Sequence, residues 1–165
     1  MRMKFKNSSI ALFVKDIEVS KTFYHDILGL EVKFDFGGNI IFKGGIALWQ
    51  IDPNHIIPKS LGNSLGDSQS NHFELYFETE SLDEDYNTLC LAKVKFLHEI
   101  HEESWGQRTI RFFDPDNHLI EIGETMRSFV TRMLNSGMTR EQVSAKTGIA
   151  IEDFEKILML NKKNK

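Results

Sequence analysis

The sequence predicts an α+β fold: paired βαβββ modules forming a curved open sheet around a cleft, with a C-terminal helical appendage. Three observations carry this. Strand-rich signatures recur about a hundred residues apart, SIALFVKDIEVSKTFYHDILGLEV from Ser9 to Val32 and RTIRFFDPDNHLIEIGE from Arg108 to Glu124. The order strand, helix, three strands can be read twice along the chain. After Glu124 the composition turns helical and basic.

In the first module, Ser9–Val14 is a β-branched and aromatic run that reads as a strand. Asp16 is placed to N-cap the next helix, whose apolar side holds Ile17, Phe23, Tyr24, Ile27 and Leu28, and Gly29 is placed to end it. Strand signals follow at Glu31–Phe36, Ile40–Phe42 and Ile46–Ile51, separated by Gly37-Gly38 and Gly44-Gly45. The stretch from Asp52 to Asn71 is rich in Pro, Asn, Ser, Gly and Asp and reads as a long connection, the kind that often serves as a binding loop.

The order then repeats. A strand is expected at His72–Phe77, then a helix to about Ala92, opened by a capping box of Ser81 and Glu84 and with Tyr86, Leu89 and Leu91 among its apolar residues. Strands follow near Lys95–Ile100, Arg108–Phe113 and Leu119–Ile122, with Asp114-Pro115-Asp116-Asn117 as a tight turn. Three short helices, Phe129–Asn135, Thr139–Lys146 and Ile151–Leu160, complete the chain. The expected division is residues 1–126 for the paired modules and 127–165 for the appendage.

The chain has 165 residues, 41% hydrophobic and 27% charged, which suits one soluble domain with a sound core. No stretch approaches the ~20 apolar residues of a membrane span, so no membrane partner is expected. The apolar run after Arg2, Lys4 and Lys6 is broken by Lys15 and Asp16, so export is not expected. A single cysteine, Cys90, excludes an internal disulfide and suits a reducing cytoplasm. The net charge of -4 divides into +4 after residue 126 and -8 before it. An acidic body disfavours nucleic acid and is compatible with a cationic small ligand.

Alternation assigns the candidate site. Along the strand from His72, one face holds His72, Glu74 and Tyr76, and the other holds the apolar Phe73, Leu75 and Phe77. Ile120 and Ile122 suit the core, which turns Glu121 to the opposite face. His72, Glu74 and Glu121 could therefore meet in one concavity, and imidazole with carboxylate is a natural ligand set for divalent metals. Arg108 and Arg111 lie nearby, and parity leaves open which of them reaches the cleft. His98 and His101 lie three apart, a spacing that puts them on opposite strand faces, and with His118 they are read as exposed or structural.

The segments NHFELYF and DPDNHLIEIGE resemble the vicinal oxygen chelate superfamily, which includes glyoxalases, bleomycin-resistance proteins and extradiol dioxygenases. The resemblance covers roughly residues 8 to 125 and implies His72 and Glu121 as metal ligands. The first module departs from the pattern. The family's opening strand usually offers a ligand five residues before the valine of a V-x-D turn, and counting back from Val14 gives Ser9. The family's fourth strand usually offers a carboxylate or amide in lyases, and matching GGIALWQI to the end of the second module puts Trp49 there, with Gln50 there under a shift of one residue. WGQR resembles a loop of drug-binding members, which makes Trp105 a candidate to stack a planar or cationic ligand.

Two functional readings follow. In the first, the protein binds a small molecule in an acidic aromatic cleft lined by Trp49, Glu74, Tyr76 and Trp105, without a complete metal site. In the alternative, it is a metal-dependent lyase, isomerase or dioxygenase. His72 and Glu121 then hold Zn²⁺, Ni²⁺, Mn²⁺ or Fe²⁺ against a substrate with vicinal oxygens, Gln50, Glu74, water or substrate supplies a further ligand, and Glu121, the catalytic candidate, or Glu74 moves protons. Ser9 and Trp49 favour the first. A homodimer is expected because open sheets leave edges to pair. The tail TREQVSAKTGIAIEDFEKIL resembles a helix-turn-helix, but its second helix opens on Ile151-Glu152-Asp153, which DNA phosphate would repel.

Overall fold

The computed structural model describes residues 9–60 and 74–159. The chain forms two compact units. One comprises the described residues up to 60 together with Asp114–His118, and the other holds Glu74–Phe113 and the described residues from Leu119 onward. The βαβββ order is present in each.

In the first unit, β1 (Ile10–Phe13), β2 (Val32–Asp35), β3 (Asn39–Phe42) and β4 (Ile46–Trp49) form a sheet of order β1-β4-β3-β2. β1 runs parallel to β4, and the other pairings are antiparallel. Helix α1 (Ile17–Lys21) begins as its sequence requires: Asp16 Oδ1 accepts from the amides of Glu18 and Val19 at 3.0 and 3.1 Å. It continues as a π-helical stretch through Thr22–Ile27, and Gly29, at φ +71°, takes the left-handed conformation that ends it. Leu12, Phe23, Tyr24, Ile40, Phe42 and Leu48 form the core. A short helix α2 (Ile56–Ser60) opens the long connection.

The turn Asp114–His118 belongs to this unit and is a polar knot. Asp114 Oδ1 accepts from the amides of Asp116 and His118 at 2.9 and 2.7 Å. Its Oδ2 accepts from the Tyr24 hydroxyl at 2.9 Å and meets His118 Nδ1 at 2.7 Å. Burial pushes the Tyr24 hydroxyl's pKa up and Asp114 adds to the rise, so it stays a donor. Burial lowers the His118 pKa, but the bond to Asp114 outweighs it and the net shift is upward. Asp116 accepts from the Lys15 amide and the Ser20 hydroxyl, both at 3.1 Å. Asn117 has the positive φ, +66°, expected of it. His118 is thus structural.

The second unit repeats the topology with β5 (Leu75–Thr79), β6 (Lys95–Glu102), β7 (Arg108–Phe113) and β8 (Leu119–Glu124), in the order β5-β8-β7-β6. β5 is parallel to β8, as β1 is to β4. The strand expected from His72 is described only from Leu75, and His72 lies outside the described residues. Helix α3 (Leu82–Leu91) buries Leu82 and Leu89 and rests Tyr86 against Phe96. One expectation fails here: Ser81 makes no side-chain capping bond. Leu91 is 85% exposed. Leu82, Tyr86 and Leu89 follow helical spacing, and Leu91 falls off that stripe.

After β8, Thr125 caps helix α4 (Met126–Asn135) by accepting from the Ser128 amide. Helix α5 (Arg140–Thr147) has a capping box that the sequence reading missed: Thr139 Oγ1 accepts from the Gln142 amide, and Gln142 Oε1 from the Thr139 amide. A 3₁₀ turn at Ile151–Asp153 leads into helix α6 (Phe154–Met159). Phe129, Val130, Met133, Val143 and Phe154 form a core of their own, with Leu134, Met138, Ile149 and Leu158 packed against it. Among the described residues, no helix is long and apolar enough to cross a membrane.

The Tyr24→Phe variant is expected to lose about 1–2 kcal/mol of stability, because buried Asp114 then lacks one donor. Urea unfolding checks this, and a neutral result would mean that the hydroxyl is not needed by the knot.

Candidate functional site

Alternation along β8 turns Ile120 and Ile122 one way and Glu121 the other, and register then builds a row across the second sheet. Tyr76 pairs with Glu121, Glu121 with Arg111, and Arg111 with His98. In the next row Glu78 pairs with Gly123, Gly123 with Thr109, and Thr109 with His101. Paired residues share a face, so these groups stand together on its polar side. The expectation that His98 and His101 point to opposite faces is overturned. Register shifts between Phe96 and His98 and between His98 and His101 change the parity, and the two rings meet edge to face at 5.8 Å.

Arg111 is the hub of the row. Its Nε donates to Glu74 Oε2 at 3.1 Å, and its Nη1 to Glu103 Oε1 at 2.9 Å. Nη1 also lies 3.3 Å from His98 Nε2. His98 Nδ1 lies 2.7 Å from the Glu99 carbonyl oxygen, which fixes the tautomer with Nε2 free to accept from Arg111. Nη2 forms an ion pair with Glu121 Oε2, which accepts no aligned hydrogen bond although it is buried.

One guanidinium thus serves three carboxyl groups. Burial raises the Glu121 pKa, Arg111 opposes the rise, and the repulsion of Glu74 and Glu103 adds to it, bringing the group to about 7. Glu103 goes the other way, held below the usual range by its bond to Arg111.

The wall beside this row is a relay of hydrogen bonds. The Trp105 indole donates to Gln107 Oε1 at 3.2 Å. Gln107 Nε2 donates to the Tyr76 hydroxyl at 2.8 Å and to the Glu124 carbonyl at 2.7 Å. The Tyr76 hydroxyl donates to Glu78 at 3.1 Å. Gly123 makes room for this relay, since a Cβ there would lie 2.7 Å from Gln107 Nε2 and 3.2 Å from the Tyr76 ring. Trp105 and Tyr76 are 42% and 48% exposed, so their rings remain open to solvent.

Of the residues singled out in the sequence, Glu74, Tyr76, Trp105 and Glu121 come together in the second unit. Trp49 and Gln50 belong to the first. Trp49 packs against Phe13 and, edge to face, His55, at 5.9 and 5.3 Å. Gln50 Oε1 accepts from the Ile17 amide at 3.0 Å, which ties it to the start of α1. Ser9 is exposed before β1. Among the described residues, no group of three or more His, Cys, Asp or Glu side chains is arranged to hold a metal ion. Glu121 stands against a guanidinium in the second unit, Gln50 is bonded to α1 in the first, and His72 lies outside the described residues. Arg111, Glu103, Gln107 and the two histidines were not identified as site residues from sequence. Burial of Ile110 and Phe112 could have placed Arg111 on the polar face, but Phe113 blurs the alternation in RTIRFF.

The chain belongs to the glyoxalase-like domain family, whose model matches residues 7–127. It is 30% identical over 119 residues to the uncharacterized protein YraH of Bacillus subtilis, covering 68% of this chain and 93% of that protein. A protein of unknown function from Agrobacterium tumefaciens has 32% identity and a TM-score of 0.60, over 76% of this chain and 98% of its own. The fosfomycin resistance protein FosX of Listeria monocytogenes has 25% identity and a TM-score of 0.53, over 74% and 94%.

The raised Glu121 pKa sets a sign for stability. A carboxyl whose folded pKa exceeds its unfolded one, about 4.3, contributes stability that is full below that value and is lost as pH rises through about 7. In urea unfolding at pH 5 and pH 8, Glu121→Gln is expected to lose less stability on the alkaline side than the parent, by about 1–3 kcal/mol. Equal losses would mean that Glu121 is already ionised at pH 5.

Proposed function

We propose that the protein is a metal-independent small-molecule binder of the bleomycin-resistance kind, taking a cationic, planar ligand on the polar face of the second sheet. The observation that carries this reading is the shared Arg111. Glu74, Glu78, Glu103 and Glu121 lie along this face against one guanidinium, so it attracts positive charge even with Glu121 protonated. The open rings of Tyr76 and Trp105 add a stacking surface for a cation, worth roughly 0.5–2 kcal/mol each. Similarity to a protein named for resistance to a small drug supports a small-molecule ligand.

The alternative, a metal-dependent lyase, isomerase or dioxygenase, needs His72 and Glu121 as ligands, with Gln50, Glu74, water or substrate supplying a further one. Glu121 would first have to leave Arg111. The expectations of a homodimer and a cytoplasmic location belong to this proposal. The first is supported by the outer strands β1, β2, β5 and β6, each with one sheet neighbour among the described residues, and the second by the exposed thiol of Cys90.

Titration with N-methylquinolinium, followed by calorimetry, tests the binding reading. Saturable one-to-one binding is expected, weakened about five- to tenfold in Trp105→Ala. Near-stoichiometric metal in protein purified without chelator, lost in Glu121→Ala, would instead establish the metal-dependent reading.

A further inference from the structure

The helices after β8 extend past the family's matched residues, and they grip the back of the loop that carries Trp105. Residues 103–107 close tightly between β6 and β7: the Glu103 amide donates to the Gln107 carbonyl and the Gly106 amide to the Glu103 carbonyl, both at 2.8 Å. Glu103, Trp105 and Gln107 send their side chains to the groups of the polar face, to Arg111 and to the Tyr76 relay. Glu102 and Gly106 turn to the helices instead.

Arg132, on α4, holds this second set. Its Nη2 donates to the Gly106 carbonyl at 2.6 Å and to Glu124 at 2.9 Å, its Nε donates to Glu124 at 3.0 Å, and its Nη1 to Glu102 at 3.1 Å. Lys146, on α5, reaches the same Glu102 at 2.6 Å. The packing is equally close. Gly106 sits at φ +93°, and a Cβ there would lie 1.9 Å from Met133 Cε and 3.1 Å from Lys146 Cε. The loop's left-handed backbone conformation favours glycine at this position, where it lies against the ends of the Met133 and Lys146 side chains.

We propose that the helices beyond the matched region position the Trp105 loop, with Arg132 as the positioning residue, and so set ligand affinity without touching the ligand. The affinity part rests on the binding function proposed above; the positioning part does not. A fork-shaped guanidinium suits the task because it reaches a carboxylate and a backbone carbonyl at once, which an ammonium holds less well. Release of Gly106 would free Trp105 and Gln107 to leave the Tyr76 relay, and the stacking surface would lose its fixed geometry.

The test uses the full chain with Trp49→Phe, which leaves Trp105 as the sole tryptophan. Acrylamide quenching of Trp105 is measured without ligand, and N-methylquinolinium affinity separately, in Arg132→Ala, in the milder Arg132→Lys, and in Val143→Ala. The last removes core volume from the helical cluster but no hydrogen bond. Quenching is expected to rise in Arg132→Ala and less so in Arg132→Lys, with affinity in Arg132→Ala falling about fivefold, as for a lost cation–aromatic contact. Val143→Ala is expected to leave both near the parent values. Unchanged Trp105 quenching in Arg132→Ala, or an equal change in Val143→Ala, would overturn the positioning role. If the parent protein does not bind N-methylquinolinium, the binding function fails, and the quenching comparison alone decides the positioning role.

Discussion

The carboxylate of Glu124, nearly closed off from solvent, accepts from Arg108 Nε at 2.9 Å, from the Arg108 amide at 3.1 Å, and from Arg132 Nε and Nη2 at 3.0 and 2.9 Å. Arg108 continues to Asp83 on α3 with two bonds, at 3.1 and 2.9 Å. Arg132 continues to Glu102 and the Gly106 carbonyl. The end of β8, the start of β7, helix α3, helix α4 and the Trp105 loop thus meet at one charge. Burial alone would raise the Glu124 pKa, but the bonds from Arg132 and Arg108 outweigh it and hold it below the ordinary range. Its stabilising contribution is therefore present above the ordinary carboxylate pKa and lost as pH falls through the lower, folded value.

Three residues earlier on the same strand, the stoichiometry is reversed. Glu124 meets two guanidinium groups, each shared with one other acid, whereas Glu121 shares a single one with Glu74 and Glu103. Two acids of similar burial on β8 are consequently driven in opposite directions. The helix side of the sheet is electrically settled and can bear load. The other side carries surplus negative charge, an acid with a pKa of about 7 and two open aromatic rings.

Much of the fold was legible because its signals are local. The Asp16 cap, the Gly29 stop, the Asn117 turn and the strand-helix-strand order each depend on a few neighbouring residues. Ser81 shows the limit of such reading: a suitable residue at a helix start forms no cap when its side chain is not turned to the helix, while the true box at Thr139 and Gln142 was passed over. The site was less legible. Glu74, Tyr76, Trp105 and Glu121 were singled out by alternation and resemblance. Arg111 was left open by Phe113, and His98 and His101 were misassigned, because a register shift leaves no mark in the residue pattern.

By itself the sequence determined two βαβββ modules, the face on which Glu121 lies, and the absence of an internal disulfide, since periodicity and a single cysteine are properties of the chain alone. Tertiary structure decided which charges confront one another. It left Glu121 to share one guanidinium with two other acids and gave Glu124 a share in two, drew His98 and His101 to one face, and set the C-terminal helices against Gly106. Those outcomes depend on strand register and on distances between segments remote in sequence, and Coulomb and hydrogen-bond energies change too steeply with such distances to be read from residue order.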